Sequence, residues 1–296
     1  MEIPKKIHLT CKDKNNIDNP IWKICLNKYK LMYPDYEIII YSNEDIYNII
    51  EKYYPKYLNK IKQIKIGAVL ADIFRYLILY LEGGIYSDLD CEPLKKIDKL
   101  TEPIFKYYHG DENRDNNYWI YKNNNQLITR AWDFNHNICS NCTLINNKKN
   151  PATMKCLGHT IGNVSTILCY EFHSDFLNNI KYNKKLHKKH PATKIYNCQI
   201  CQWFMITKPK QDIFLKMFIS IMDKLDILIN IKKDQNYVGK IIDITGPSGF
   251  TRVIMNNLTN KIKILPCDFF CGGGGSGNNP LTRNTYVKHH YTGSWH

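Results

Sequence analysis

Residues 67–98 read GAVLADIFRYLILYLEGGIYSDLDCEPLKKID, and their pattern decides the fold. From Ala68 to Leu81 the chain is apolar on almost every side, which predicts a buried helix. Gly83 and Gly84 stop it, because glycine takes the left-handed conformation that closes a helix C-terminus. Ile85-Tyr86-Ser87 then reads as a short strand that delivers Asp88-Leu89-Asp90. A helix, a glycine turn, a strand and a carboxylate pair in this order describe an α/β unit with polar chemistry at a strand end.

Asp72 and Arg75 interrupt the apolar helix at i and i+3, so their side chains share a face. A buried charge is costly unless it is paired or functional. The plain alternative is a simple Asp72–Arg75 ion pair. Strand alternation puts Asp88 and Asp90 on one side and Leu89 in the core. Two carboxylates on one side repel unless a cation sits between them. Hard oxygen ligands suit Mg²⁺ or Mn²⁺, and such an ion can stabilise charge on a departing diphosphate.

Outward from this stretch the pattern alternates. A strand at Ile3–Leu9 leads to a helix around Ile21–Met32, and a strand follows at Glu37–Tyr41. Ser42-Asn43-Glu44-Asp45 then caps the next helix. Such alternation predicts an α/β fold with a mainly parallel central sheet and helices on both faces. Phe214–Ile229 reads as an amphipathic helix and Lys240–Ile244 as a strand before Thr245-Gly246-Pro247. Residues from about 105 to 195, rich in Asn, Lys, Cys and His, read as an insertion on the acceptor side of a single domain spanning 1–296. The glycine-rich stretch 272–279 reads as a flexible loop.

Lys and Arg number 41 against 27 Asp and Glu, a net charge of +14 that favours anionic partners. The densest basic run, Lys184–His190, is most simply a solvated face. Met1 is followed by a charged strand pattern, and no apolar run approaches the ~20 residues of a bilayer span, so the expectation is a soluble, cytoplasmic protein. Eleven cysteines is an odd count, so not all can pair within the chain. Cys139-x-x-Cys142 and Cys198-x-x-Cys201 could together bind a structural Zn²⁺, with buried free thiols as the alternative. Their separation exceeds that of a compact zinc module. A basic, zinc-containing nucleic-acid-binding protein would share the charge and the thiols. It leaves the Asp72/Arg75 helix unexplained, and the chain offers neither a recognition helix nor an aromatic platform.

GAVLADIFRYLILYLEGGIYSDLDCEPL closely resembles the DXD region of the family-32-type glycosyltransferases. That group includes the fungal initiating α-1,6-mannosyltransferases and is related to the sugar-transferring domains of large clostridial toxins. Ile3-Pro4-Lys5-Lys6-Ile7-His8 is similar to the family's opening strand, although Leu9 and Cys11 stand where Gln and Trp are usual. Tyr33-Pro34-Asp35-Tyr36-Glu37, Gln202-Trp203-Phe204-Met205, Thr245-Gly246-Pro247 and His289-His290-Tyr291-Thr292-Gly293-Ser294-Trp295 resemble further family segments in order.

The resemblance implies a GT-A type, Rossmann-like fold and a metal-dependent retaining glycosyltransferase. It implies transfer of a sugar from a UDP- or GDP-linked donor to a glycan, protein or lipid hydroxyl, giving an α-linkage. Asp72, Arg75, Asp88 and Gly246 would contact the donor. Asp88 and Asp90 would handle Mn²⁺ or Mg²⁺, with Asp90 the direct ligand, and His289 or His290 would add another. Ser294 and Trp295 would touch the diphosphate. Asp88, Asp90 and Arg75 form the implied catalytic set. A catalytically inactive glycosyltransferase-like module is the alternative, given Leu9 and Cys11.

Overall fold

A computed structural model describes residues 2–101, 164–173, 191–272 and 281–292, apart from positions 16, 197, 233, 235, 260 and 266. Between 102 and 163 it gives only the backbone of short strands. Strand β1 (Lys6–Thr10), helix α1 (Pro20–Met32) and strand β2 (Glu37–Tyr41) form a parallel βαβ unit, with Lys6 opposite Glu37 and Thr10 opposite Tyr41. Asn19 accepts from the Ile21 amide and Pro20 occupies the first turn of α1, both favourable at a helix start. Helix α2 (Asn43–Tyr53) begins with a reciprocal Ser42/Asp45 capping box. Helix α3 (Pro55–Ile61) leads to the long apolar helix α4 (Gly67–Leu81).

The glycines after α4 are required by geometry. Gly83 has φ +67° and Gly84 φ +92°. A Cβ on Gly83 would meet the Pro209 nitrogen at 2.5 Å, and one on Gly84 the Lys6 carbonyl oxygen at 2.7 Å. This tight turn lays strand β3 (Gly84–Ser87) parallel to β1. Strand β4 (Cys91–Pro93) follows. Strand β5 (Thr166–His173), strand β6 (Cys198–Ile200) and strand β7 (Phe204–Thr207) carry the sheet onward.

Helices α5 (Asp212–Met222) and α6 (Leu225–Ile229) divide the segment expected as one amphipathic helix. Helices α7 (Tyr237–Ile244) and α8 (Pro247–Asn256), strand β8 (Ile262–Leu265) and strand β9 (Val287–His289) follow, and single helical turns lie at Asp98–Thr101 and Thr193–Tyr196. The central sheet has the order β6-β5-β7-β3-β1-β2, with β8 also paired to β5. Pairing senses fix the directions: β2, β1, β3, β5 and β8 run one way, while β7 and β6 run against them. The expected mainly parallel sheet is therefore present, with β7 inserted in reverse beside β3.

Consecutive residues of a strand face opposite sides of the sheet. Ile7, His8 and Leu9 are all fully buried, and every residue of β3 and β7 is buried, so both faces of the sheet centre are covered. Lys240–Ile244 is helical rather than the expected strand. A short apolar run carries both periods, and this one is the second half of helix α7. A Cβ on Gly246 would lie 2.6 Å from the Ile242 Cα, so α7 and α8 meet through a glycine. Among the described residues no helix is long and apolar enough to cross a membrane.

Candidate active site

Strand β3 ends at Ser87, and Asp88–Asp90 form a turn closed by the Cys91 amide donating to the Asp88 carbonyl at 3.0 Å. Strand alternation therefore does not govern the two carboxylates, and they turn to different partners. Asp88 faces α4 and Tyr86, whereas Asp90 faces the C-terminal segment.

The first cluster is built on Arg75. Its Nη2 lies 3.1 Å from Asp88 Oδ1 and 3.3 Å from Asp72 Oδ1, so one guanidinium serves both carboxylates. Its Nη1 donates to the Gln202 carbonyl at 3.2 Å, and its plane lies over the Tyr86 ring, 4.8 Å from the centroid. Tyr86 also donates its hydroxyl to Asp88 Oδ1 at 2.8 Å. The simple Asp72–Arg75 pair is thus real but is half of a larger arrangement.

Asp72 is fully buried and accepts from the Thr245 hydroxyl at 2.6 Å and from Gln202 Nε2 at 3.1 Å. Burial pushes its carboxyl up to about 7, while Arg75 and the two hydrogen bonds pull the other way. Asp88 is the open member, with 28% of its side chain exposed. Thr245 and Gln202 escaped the sequence reading as site residues. Both lie in quoted motifs, but only the fold brings the end of α7 and the β6–β7 connection to Asp72 and shows what they touch. Gly246 stands one residue from Thr245, at the start of α8.

The second cluster joins the chain's ends. Strand β9 pairs antiparallel with β4, placing His289 opposite Cys91 and Lys288 opposite Glu92. His289 Nε2 consequently lies 3.1 Å from Asp90 Oδ1. Thr292 donates its amide at 2.9 Å and its hydroxyl at 3.0 Å to Asp90 Oδ2. Trp22 of α1 holds this segment by donating its indole N–H to the Thr292 hydroxyl at 3.3 Å. The imidazole of His289 is stacked on Trp203 at 4.6 Å and touches Tyr291 at 3.8 Å. Its Nδ1 is buried without a hydrogen-bond partner.

The adjacent histidine goes elsewhere. His290 Nε2 lies 2.6 Å from Glu92 Oε2, and Lys28 donates to the other Glu92 oxygen. The two histidines, equivalent in sequence, thus separate onto two carboxylates. Ser294, Trp295, Cys139 and Cys142 lie outside the described residues.

The donor set can be tested against a divalent ion. Two adjacent ligands of an octahedral ion, each about 2.1 Å from it, stand roughly 3 Å apart. The 3.1 Å between Asp90 Oδ1 and His289 Nε2 matches that edge. Cys91 Sγ also lies within 4.8 Å of both ligand atoms, but it is turned to the Trp203 carbonyl, to which it donates at 3.6 Å. It forms a wall rather than a metal ligand.

Burial opposes ionisation of Asp90, but the bonds from His289 and Thr292 outweigh it and hold the carboxyl down at about 2. A carboxyl depressed below its unfolded value of about 3.9 adds stability above that pH and loses it as pH falls toward 2. The contribution is on the order of 2 kcal/mol. Acid unfolding of the wild type between pH 4 and 2 should therefore be steeper than that of Asp90→Asn, read as thermal midpoints across that window. Equal slopes would remove Asp90 from the acid response. Asp72 has the opposite sign: its raised carboxyl favours the folded chain below about pH 7.

A strand-end turn that presents carboxylates, an arginine clamp beside them and a histidine from the C-terminal segment thus meet in one place. Residues 21–106 match the family described as "Glycosyltransferase sugar-binding region containing DXD motif". The chain is 37% identical over 98 residues to the mannosyl phosphorylinositol ceramide synthase SUR1 of Saccharomyces cerevisiae, covering 33% of this chain and 25% of that protein. It is 24% identical to the initiation-specific alpha-1,6-mannosyltransferase of Schizosaccharomyces pombe, covering 99% of this chain and 64% of the relative. The match thus spans only about a quarter of SUR1's length and less than two thirds of the other relative. Among solved structures, the ligand-free glycosyltransferase domain from the YGT toxin aligns with a TM-score of 0.44 at 11% identity, over 88% of this chain and 80% of that one.

Proposed function

We propose that the chain is a metal-dependent retaining glycosyltransferase that moves a sugar from a nucleotide-diphosphate donor to an acceptor hydroxyl, forming an α-linkage. The observation that carries this reading is the 3.1 Å approach of His289 to Asp90, which joins the C-terminal segment to the DXD turn. Asp90 and His289 would hold the cation, and an imidazole in the set favours Mn²⁺ over Mg²⁺. Bound there, the ion would act as a Lewis acid on the leaving diphosphate.

The chain's own groups do the rest. Asp88, the exposed carboxylate, would orient the sugar or ribose hydroxyls. Arg75 holds Asp88 in place and sits behind it as a fixed cation, and Asp72 fixes Arg75 in turn. Gly246, Ser294 and Trp295 would complete the donor pocket, the last two at the diphosphate. The bond from the anomeric carbon to the diphosphate oxygen breaks as the acceptor oxygen bonds to that carbon. The acceptor proton leaves with the diphosphate on the same face. The net charge of +14 suits an anionic donor.

The relatives are named for mannosyl transfer, three of them as inositol phosphoceramide mannosyltransferases, so GDP-mannose is the first donor to test and UDP-sugars the comparison. A nucleotide diphosphate at about a hundred times its Kd should stabilise the fold by about 2.7 kcal/mol, and only with Mn²⁺ present. Slow hydrolysis of the sugar nucleotide should accompany it. Binding without hydrolysis or transfer would mark an inactive module. Stabilisation by oligonucleotides alone would replace the proposal with nucleic-acid binding.

A further inference from the structure

Three cysteines from separate segments meet in the core behind the DXD turn. Cys169 lies on β5, Cys201 directly follows β6, and Cys271 lies in the turn after β8. Their sulfur atoms all lie within 4.8 Å of one another, and all three residues are fully buried. Thiolates on a tetrahedral zinc, each about 2.3 Å from the metal, stand about 3.8 Å apart. The sulfurs therefore stand no more than about 1 Å farther apart than zinc requires. Cys198, the other half of the CxxC pair, is not in it.

The three thiols hydrogen-bond to one another. Cys201 reaches the Phe204 carbonyl only at 3.8 Å, and Cys169 and Cys271 both crowd the Tyr170 carbonyl, at 3.3 and 3.2 Å. Three sulfurs within 4.8 Å of one another in a closed core form a soft-ligand set.

We propose that Cys169, Cys201 and Cys271 bind a structural Zn²⁺ ion that staples β5, the β6–β7 connection and the turn after β8 beneath the donor site. Binding exchanges each S–H proton for a Zn–S bond and releases the protons to solvent. The staple would act on the site through its neighbours. Cys201 directly precedes Gln202 and Trp203, and the carbonyl of Gly272, next to Cys271, accepts from the His289 amide at 3.0 Å. The inference stands apart from the transferase reading, because its ligands are sulfur and the DXD set is oxygen and imidazole.

The test is elemental analysis of the full chain, expressed with zinc and purified reduced and without chelator. About one equivalent of zinc is expected to survive dialysis into Mn²⁺ buffer. Asp90→Ala and the Cys139→Ser/Cys142→Ser double variant should keep that zinc, and Cys201→Ser should lose it. Because Cys201→Ser can unfold the core, Co²⁺ loading of the wild-type chain is the second measurement. Thiolate-to-cobalt charge-transfer bands with tetrahedral d–d absorption are expected. Zinc-free wild-type protein without such bands would overturn the proposal. So would zinc retained by Cys169→Ser/Cys201→Ser/Cys271→Ser, or lost from the Cys139/Cys142 variant.

Discussion

Asp90→Ala should reduce metal-dependent transfer by roughly a thousandfold or more, the scale of several kcal/mol of lost charge stabilisation. Asp90 is where the two halves of the site meet. One of its oxygens faces His289 and the other accepts two bonds from Thr292. Its removal takes away the carboxylate donor and also the anchor that holds the C-terminal segment over the turn. Asp90→Asn separates the two effects. The amide keeps the shape and an accepting oxygen but not the charge, so the segment should stay closed while metal binding fails. Transfer assays across a Mn²⁺ titration, beside Mn²⁺ binding followed by calorimetry, give both readouts. Full activity in Asp90→Ala at any metal concentration would sink the assignment.

Arg75→Ala should be the most destabilising single change at the site, by about 3–5 kcal/mol, because it leaves buried carboxylate without its partner. With an unfolding entropy of about 2.1 cal/mol/K per residue, in a chain of this size that corresponds to a fall in Tm of roughly 5–8 °C. The loss has a specific cause: Asp72 is fully buried, and Arg75 is the only cation within ion-pairing distance of it among the described residues. Neutralising Asp72 should then recover part of the loss. Asp72→Asn combined with Arg75→Ala is expected to cost less than the two single changes added together. Arg75→Lys keeps the charge but not the planar fork that reaches Asp72, Asp88 and the Gln202 carbonyl, so it should fall between. Simple additivity in the double variant would show that the guanidinium does not couple the two carboxylates.

Much of this protein is set by local sequence. The Ser42/Asp45 capping box, the apolar run of α4 and the positive-φ glycines after it act over a few residues, and their outcomes can be read directly from residue type and spacing. So can the βαβ alternation and the presence of paired carboxylates after β3. Where local signals are balanced, reading fails. The isoleucines of Lys240–Ile244 suit both periods, and the segment is the second half of helix α7, which meets α8 closely at Gly246. Asp88 and Asp90 were expected on one side of a strand, but the ladder with β7 ends at Ser87 and the chain turns there.

The functional pairings themselves belong to tertiary structure. Nothing local distinguishes His289 from His290; the antiparallel register of β9 on β4 sends one to Asp90 and the other to Glu92. Thr245 and Gln202 are ordinary polar residues until the end of α7 and the β6–β7 connection set them against Asp72. Cys201 sits in a CxxC spacing with Cys198, yet its sulfur neighbours are Cys169 and Cys271, brought in by strand pairing and the turn after β8. The sequence alone determined which elements form and which residue types carry charge into the core, because helix periods, caps and glycine turns are short-range. Tertiary structure decided which of those charges and thiols face each other, because register and packing between distant segments set distances that no local pattern encodes.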